Sequence, residues 1–302
     1  MTAVPEHLPV EVVEYTDPLC PWAWGSEPVL RCLRTALAGR ARWRRVFCLL
    51  FLDDDDPAPD PVAETAWYER HIEEIAGHTG APGPTRLTRV AASSWPSSLV
   101  AKAAELQGEE VAERVLRRLR ETVFVLGEPA DTLASALSAA RGVPGVDLAR
   151  LGADAASSAV LRRVRSDHAE ARRPVREALS VRGGSPHPGT AKETADGGLR
   201  YALPTVLFRA GTARRLVPGW RGWEEYAAAV GELGPEPPPS PARPAPEAAL
   251  LRYRSLTGPE ARLLTEGQWP PPHAVRVDTA GGSLWLHPDE AATHPATRPN
   301  RP

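Results

Sequence analysis

One short stretch limits what this chain can fold into: a cysteine and a proline where a predicted strand meets a predicted helix. The apolar run from Val10 to Tyr15 predicts a β-strand, and the segment from Trp22 to Ala38 predicts a helix. Cys20 and Pro21 lie between them, and proline at a helix start loses no hydrogen bond. The N–H groups and dipole of a helix start favour a thiolate, so we expect the pKa of Cys20 to be lowered.

A second sulfur is missing from this motif. A dithiol redox site needs Cys-x-x-Cys, because the second thiol, one helical turn on, resolves a mixed disulfide. Here the third residue after Cys20 is Ala23. Cys32 lies roughly 18 Å further along the predicted helix, and Cys48 falls in a predicted second strand. We expect both to be core residues, so the motif keeps an attacking sulfur and lacks a resolving one.

The residues around this cysteine resemble those of a known family. Asp17-Pro18-Leu19-Cys20-Pro21-Trp22-Ala23-Trp24, followed by Glu27-Pro28, is similar to the DsbA-like branch of the thioredoxin superfamily. The nearest group is the cytosolic DsbA-family proteins of actinobacteria, related to FrnE-type oxidoreductases and mycothiol-dependent nitroreductases. Its members often read CPWC or CPWS where this chain reads CPWA. The resemblance implies an α/β, thioredoxin-like fold with a large all-helical insertion.

The order of predicted elements fits that architecture. The segment from Trp43 to Leu52 predicts a buried second strand, and Pro28 predicts a kink or break in the first helix. No strand is predicted between Pro61 and Ser180, where apolar residues recur at helical spacing. We therefore divide the chain into a β-α-β half at 1–60, a helical insertion at 61–195, a β-β-α half at 196–233, and a proline-rich linker with a C-terminal extension at 234–302.

The resemblance also places a proline opposite the cysteine. Leu203-Pro204 precedes the β-rich run from Thr205 to Phe208, at the position of the family's cis-proline loop. That loop faces the active cysteine and binds extended substrate backbone, whereas the alternative is a trans proline at a strand start. The predicted site is therefore Cys20 as the catalytic residue, with substrate bound by Pro21, Trp22, Ala23, Leu203, Pro204 and Thr205.

Other motifs predict weaker or structural roles. Ser93-Ser94-Trp95-Pro96-Ser97 opens a predicted helix and is a candidate for lining the same groove. Four histidines lack metal-ligand spacing and are interpreted as solvated or structural, so no metal is expected: His71, His78, His168 and His187. The C-terminal extension is too small to form its own core and is expected to pack on the main body, with its last dozen residues disordered.

Charge and cysteine usage exclude several functions. A net charge of −2 argues against a nucleic-acid partner, and no apolar run is long enough to span a membrane. Residues 1–8 show no signal-peptide pattern, and three widely spaced cysteines fit a reducing compartment, so we expect a cytoplasmic protein.

Three functions remain open at the level of sequence. The first is a DsbA-type thiol-disulfide oxidoreductase in which Cys20 is the single nucleophile and an external low-molecular-weight thiol resolves the mixed disulfide. The resemblance implies mycothiol as that co-substrate, no bound cofactor, and a small thiol or a protein or peptide as partner. The second is a binding or adaptor protein that uses the same groove. The third is an enzyme of the kappa-class glutathione transferase or isomerase type, which usually carries serine at the position of Cys20.

Overall fold

The computed structural model describes residues 10–53, 58–181, 184–233, 238 and 240–298. Within these ranges the chain forms nine strands, β1 to β9 in order: Val10–Thr16, Ala41–Phe47, Lys192–Glu193, Leu199–Arg200, Thr205–Ala210, Ala213–Pro218, Ser255–Thr257, Val275–Thr279 and Gly282–Leu286. The same ranges hold twelve α-helices, α1 to α12 in order: Pro21–Gly25, Glu27–Ala36, Pro61–Thr79, Trp95–Ala104, Glu109–Phe124, Leu133–Ala139, Leu148–Ala155, Ser158–Ala171, Trp223–Gly231, Pro246–Tyr253, Gly258–Leu264 and Pro288–Ala291.

A four-stranded mixed sheet forms the centre of the fold, in the order β2-β1-β5-β6. β1 runs parallel to β2 and antiparallel to β5, and β5 and β6 form an antiparallel hairpin. Val12 and Val13 on β1 point to opposite faces, and both are fully buried because helices cover the two faces. The predicted α/β, thioredoxin-like fold is confirmed, and the sheet brings the end of β1 beside the start of β5.

The first helix breaks where the proline predicts. α1 ends at Gly25, Ser26 separates the two helices, and α2 begins at Glu27 with Pro28 in its first turn. Proline is tolerated there because the N–H it lacks has no partner in the first turn. The break separates the short helix that carries Cys20 from the longer helix behind it.

The second strand is shorter at its end than predicted. It stops at Phe47 instead of continuing to Leu52. Leu49 takes a left-handed backbone with φ of 52°, and the N–H of Leu50 turns to donate to the carboxylate of Asp17. The chain therefore leaves the sheet to close the turn below Cys20.

Between residues 61 and 180, the described part of the chain contains no strand, as predicted. The predicted all-helical insertion at 61–195 is wrong at its end, because the short strand β3 at Lys192–Glu193 pairs with β4. α5, from Glu109 to Phe124, is among the longest helices of the insertion. α3 continues through Gly77 and ends at Thr79, and the next residue, Gly80, has a φ of 69° that suits a helix C-terminus. In the described residues, no helix is long and apolar enough to cross a bilayer.

The C-terminal extension packs on the main body, as expected. Its antiparallel sheet has the order β7-β9-β8, and the short strand β7 lies between α10 and α11. Arg117 on α5 donates to both carboxylate oxygens of Glu260 at 2.8 and 2.9 Å. The prediction of a disordered end is wrong up to residue 298. The Nε2 of the fully buried His294 lies 3.0 Å from a carboxylate oxygen of Glu121, and this contact fixes α12 and the following turn.

Some predicted segments lie outside the described residues, wholly or in part. These are residues 1–9, residues 54–57 of the acidic loop, Arg182 and Gly183, residues 234–237 and 239 of the proline-rich linker, and residues 299–302.

Candidate functional site

Cys20 caps the N-terminus of α1, directly after the turn that follows β1. The buried carboxylate of Asp17 fixes this turn by accepting the N–H of Leu19 at 2.7 Å and of Leu50 at 2.8 Å. Cys20 is 4% exposed, and its S–H donates to the carbonyl oxygen of Leu203 at 3.8 Å. Local turn chemistry thus places the sulfur at a helix start, opposite the chain that enters β5.

The electrostatics of Cys20 differ from the prediction. Burial raises the pKa of its thiol to about 11, although the N–H groups of Ala23 and Trp22 act in the opposite direction. The negative charge of Asp17 adds to the increase of the Cys20 pKa. The predicted lowering is therefore wrong, because loss of solvation in an apolar cluster outweighs the helix terminus. The sulfur is a protonated thiol at neutral pH.

The loop that faces Cys20 has a cis peptide bond between Leu203 and Pro204, the geometry that the family resemblance implies. Tyr201 stacks on Tyr15 of β1 with ring centroids 3.9 Å apart, which ties the loop to the sheet. On its other side, the N–H of Gly219 donates to the carbonyl oxygen of Pro204 at 2.8 Å. These contacts hold the Leu203 carbonyl in place beside Cys20.

His187 is a site residue that sequence reasoning missed. Its Nε2 lies 2.8 Å from the carbonyl oxygen of Leu203, the same oxygen that accepts from Cys20. Burial lowers the pKa of His187 to about 4, so the ring is neutral at pH 7 and its Nε2–H is the donor. The ring also stacks on Trp22, with centroids 4.9 Å apart and planes 18° from parallel. No spacing signal marks this residue, since the contact joins positions distant along the chain.

A cavity of about 520 Å³ opens beside the sulfur. Aromatic and apolar side chains form most of its wall, among them Trp22, Phe51, Trp67, Tyr68, Ile75, Val90 and Leu203. Two cations, Lys192 and Arg200, come from paired positions on β3 and β4, and two carboxylates, Glu64 and Glu74, come from α3. This volume lies in the range of about 300–1,000 Å³ of small-ligand pockets, and it also suits a few side chains of a peptide.

The structure brings part of the predicted site to this cavity. Four of the seven predicted residues line it: Cys20, Pro21, Trp22 and Leu203. Ala23, Pro204 and Thr205 are buried and do not line the cavity.

Two other groups of residues have roles that differ from those predicted from the sequence. The stretch from Ser93 to Ser97 does not line this cavity; Ser94 instead accepts the N–H of Phe51 at 3.1 Å and braces the turn. His71 and His78 line the cavity together with His187, although the sequence assigns them solvated or structural roles.

The other two cysteines are core residues, as predicted. Cys32 packs among Ala249, Leu250, Leu256 and Leu264, where α2 meets the C-terminal extension. Cys48 lies one residue beyond β2, in the same buried cluster as Cys20, and its S–H donates to Val46. All three cysteines are free thiols. The described residues contain no cluster of side chains arranged to hold a metal ion.

Comparison with known proteins identifies relatives that share part of this sequence. A curated relative, the ClpXP adapter protein SpxH of Shouchella clausii, is 30% identical over 169 residues, which cover 55% of this chain and 54% of the relative. The chain thus spans about half the length of this relative, and about two-fifths of two further SpxH proteins.

Solved structures share the fold at low identity. A Nitrosomonas europaea protein described as a disulfide isomerase superposes with a TM-score of 0.57 at 16% identity, covering 74% of this chain and 97% of its own. The cytosolic disulfide reductase DsbM of Pseudomonas aeruginosa gives a TM-score of 0.50 at 16% identity, covering 68% and 88%. A thioredoxin family model matches residues 14–173, more than half of the sequence. The chain belongs to the thioredoxin family.

Proposed function

We propose that this chain is a thioredoxin-fold adaptor that binds a segment of a partner protein in the cavity beside Cys20. The state of Cys20 carries the proposal: burial raises the pKa of this thiol to about 11, and Ala23 stands where a resolving sulfur would be. The nucleophile of thiol exchange is the thiolate, which is scarce at neutral pH at such a pKa. The groove is then better suited to binding than to dithiol redox turnover.

The rim of the cavity has the character of a protein-contact surface. Trp67 on α3 is 57% exposed and stacks on His71 with ring centroids 5.6 Å apart. Val62, on the same helix but outside the cavity wall, is 79% exposed. Exposed aromatic and apolar side chains next to a pocket are typical of surfaces that bind other proteins, and tryptophan is enriched among the residues that dominate such binding.

The curated relatives support the same role, since they are described as ClpXP adapter proteins. We extend that description to this chain: the bound partner is a protein that the adaptor presents to a ClpXP-type protease. The free state of all three cysteines is typical of a reducing compartment, which supports a cytoplasmic location for this role.

The test uses an inactive ClpXP trap that retains delivered proteins. Proteins held by the trap are quantified with the wild-type chain, Trp67→Ala, Cys20→Ala, and Leu251→Ala as a control. Leu251 is also 57% exposed but lies on α10 and does not line the cavity. We expect Trp67→Ala to reduce the retained partner about tenfold, as for an interface residue worth 1–2 kcal/mol, with Cys20→Ala and Leu251→Ala near wild type. The adaptor role would be contradicted if the trap lost the partner protein with Cys20→Ala and still retained it with Trp67→Ala.

A second candidate is a single-thiol oxidoreductase of DsbA type, favoured by the position of Cys20 on the cavity wall at a helix N-terminus. In that reaction the Cys20 thiolate attacks a substrate disulfide, forming one new S–S bond and releasing one substrate thiolate. A low-molecular-weight thiol such as mycothiol then attacks the Cys20 sulfur as a thiolate, and the second substrate thiolate leaves, which forms a Cys20–mycothiol disulfide. A second mycothiol thiolate attacks the mycothiol sulfur of that disulfide, so the Cys20 thiolate leaves and mycothiol disulfide is released. A Cys20–mycothiol disulfide detected by mass spectrometry, with turnover lost in Cys20→Ser, would support this candidate over the adaptor.

A further inference from the structure

A second cavity, of about 460 Å³, lies away from Cys20. It is enclosed by α2, the start of β2, α5 and the C-terminal extension, which contributes residues from the end of α10 and from α12. Its volume is within the range of about 300–1,000 Å³ for small-molecule sites. The proposed adaptor function does not use this cavity.

Arginine dominates the wall of this cavity. Among the described residues, seven arginines and five glutamates line it, which leaves a formal surplus of two positive charges. Most of the glutamates are already neutralised: Glu110 pairs with Arg114, Glu113 with Arg34 and Arg45, Glu121 with Arg117, and Glu290 with Arg118. Carboxylates outside the wall neutralise further arginines: Glu260 pairs with Arg31 and Arg117, Glu27 with Arg34, and Asp289 with Arg254. Arg252 is therefore the arginine of the wall that has no ion pair among the described residues.

Arg118 supplies hydrogen-bond donors with no acceptor. Its side chain is 1% exposed, and within the described residues its Nε and Nη1 have no hydrogen-bond partner. Nη2 donates to Glu290, and Nε lies 3.8 Å from Glu121, too far for a hydrogen bond. The Nε of Arg254, which also lines the cavity, lacks a hydrogen-bond partner in the same way. Burying guanidinium donors without acceptors costs free energy. A ligand that supplies acceptor oxygens would therefore stabilise the folded chain.

Arg252 adds a charge at the exposed side of the wall. Among the described residues it forms no ion pair, and its guanidinium carbon lies 5.3 Å from the ring centroid of Tyr253. Arg31 approaches the same ring at 5.2 Å. Planar guanidinium groups match the oxygen spacing of phosphate and carboxylate, and phosphate offers more acceptors to several donors at once.

We propose that this cavity is a binding site for a phosphate-bearing small anion. Arg118 and Arg254 would donate to its oxygens from inside, and Arg252 would close over it from the exposed side. Because the walls come from both the thioredoxin core and the C-terminal extension, the bound anion would also fasten the extension to the core and raise the thermal stability of the chain.

The test is calorimetric titration of the full chain at constant ionic strength, with inorganic phosphate, pyrophosphate and glycerol 3-phosphate in separate arms and sodium chloride as the blank. Replacing the buried Arg118 could unfold the chain, so the variant is Arg252→Gln. The control is Arg163→Gln, which removes the same charge from an exposed position of α8 outside the cavity.

We expect at least one phosphate arm to bind and to raise the melting temperature, with affinity about tenfold weaker in Arg252→Gln and unchanged in Arg163→Gln. Preference for glycerol 3-phosphate over inorganic phosphate would identify a phosphate ester as the ligand, and the reverse would identify the free ion. No binding by any phosphate arm at millimolar concentration, or equal weakening in the two variants, would overturn the proposal.

Discussion

At the scale of single residues, burial decides the chemistry of the site. Cys20 has the sequence context of an activated thiol, but tertiary packing leaves it 4% exposed, and burial raises its pKa to about 11. His187 shares the Leu203 carbonyl with Cys20 and is held neutral by the same loss of solvent. Burial favours the uncharged form of each side chain, while the hydrogen bond that His187 donates to the Leu203 carbonyl raises the pKa of His187 and only partly offsets burial.

The buried His187 makes the stability of the chain sensitive to acid. Its pKa is about 4 in the folded chain and near 6.5 in the unfolded chain, so the unfolded state binds more protons between these values. This contribution is complete above pH 6.5 and is lost as the pH falls to 4, by up to about 3 kcal/mol. Urea unfolding from pH 7 to pH 4 should show a smaller loss of stability for His187→Gln, which keeps an N–H donor. Parallel losses in the two proteins would contradict this.

The placement of Cys20 could be predicted from sequence because it depends on neighbours a few residues away. Strand, turn and Pro21 are local signals, and they fix the sulfur at the start of α1. The pKa of Cys20 and the role of His187 could not be predicted, since both depend on groups that meet only after the chain has folded. The Trp22–His187 stack, for example, joins residues more than 160 positions apart.

At the scale of elements, the turn after β6 holds the His187 loop in position. The N–H of Trp220 donates to the carbonyl oxygen of His187 at 3.1 Å, and the N–H of Gly219 donates to Pro204. Gly219 has φ of 74°, and a Cβ added there would lie 2.1 Å from the His187 carbonyl oxygen. Glycine is therefore required where these two loops cross.

Gly219→Ala should disturb both loops. We expect a loss of about 2 kcal/mol or more in the free energy of unfolding, together with faster alkylation of Cys20, because the clash pushes His187 away from Leu203. Gly211→Ala is the matched control: its φ is 56°, but no atom lies within 4 Å of its added Cβ. Gly211→Ala should lose the stability that a positive φ costs an alanine, but Cys20 should not be alkylated faster. Equal alkylation rates in the two variants would show that the contact between the turn after β6 and the His187 loop does not protect Cys20.

At the scale of the whole molecule, a buried network of ion pairs joins the thioredoxin core, the helical insertion and the C-terminal extension. Glu27 on α2 contacts Arg31, Arg34 and Arg120, and Glu260 on α11 contacts Arg31 and Arg117. Removing one member of such a network leaves a buried charge without its partner. Sequence patterns showed that the extension would pack back, but the partners of these charges follow from tertiary contacts that no local pattern records.

Glu260→Gln tests the connection between extension and core. Glu260 is fully buried, so its loss should lower the free energy of unfolding by about 3–5 kcal/mol. Glu177→Gln removes the same charge from an exposed pair with Arg214 and should cost less than about 1 kcal/mol. Denaturant unfolding of both variants at pH 7 checks this, and similar small losses would mean that the buried network does not hold the extension.

The most direct test of the account is the pH dependence of Cys20 alkylation by iodoacetamide in the folded wild-type chain, followed by mass spectrometry of the peptide that contains it. With a pKa raised to about 11 by burial, Cys20 should react far more slowly at pH 7 than in the unfolded chain, with no inflection below pH 9. A titration midpoint near or below neutrality would contradict the account, since it would show that the helix start still activates the sulfur for catalysis.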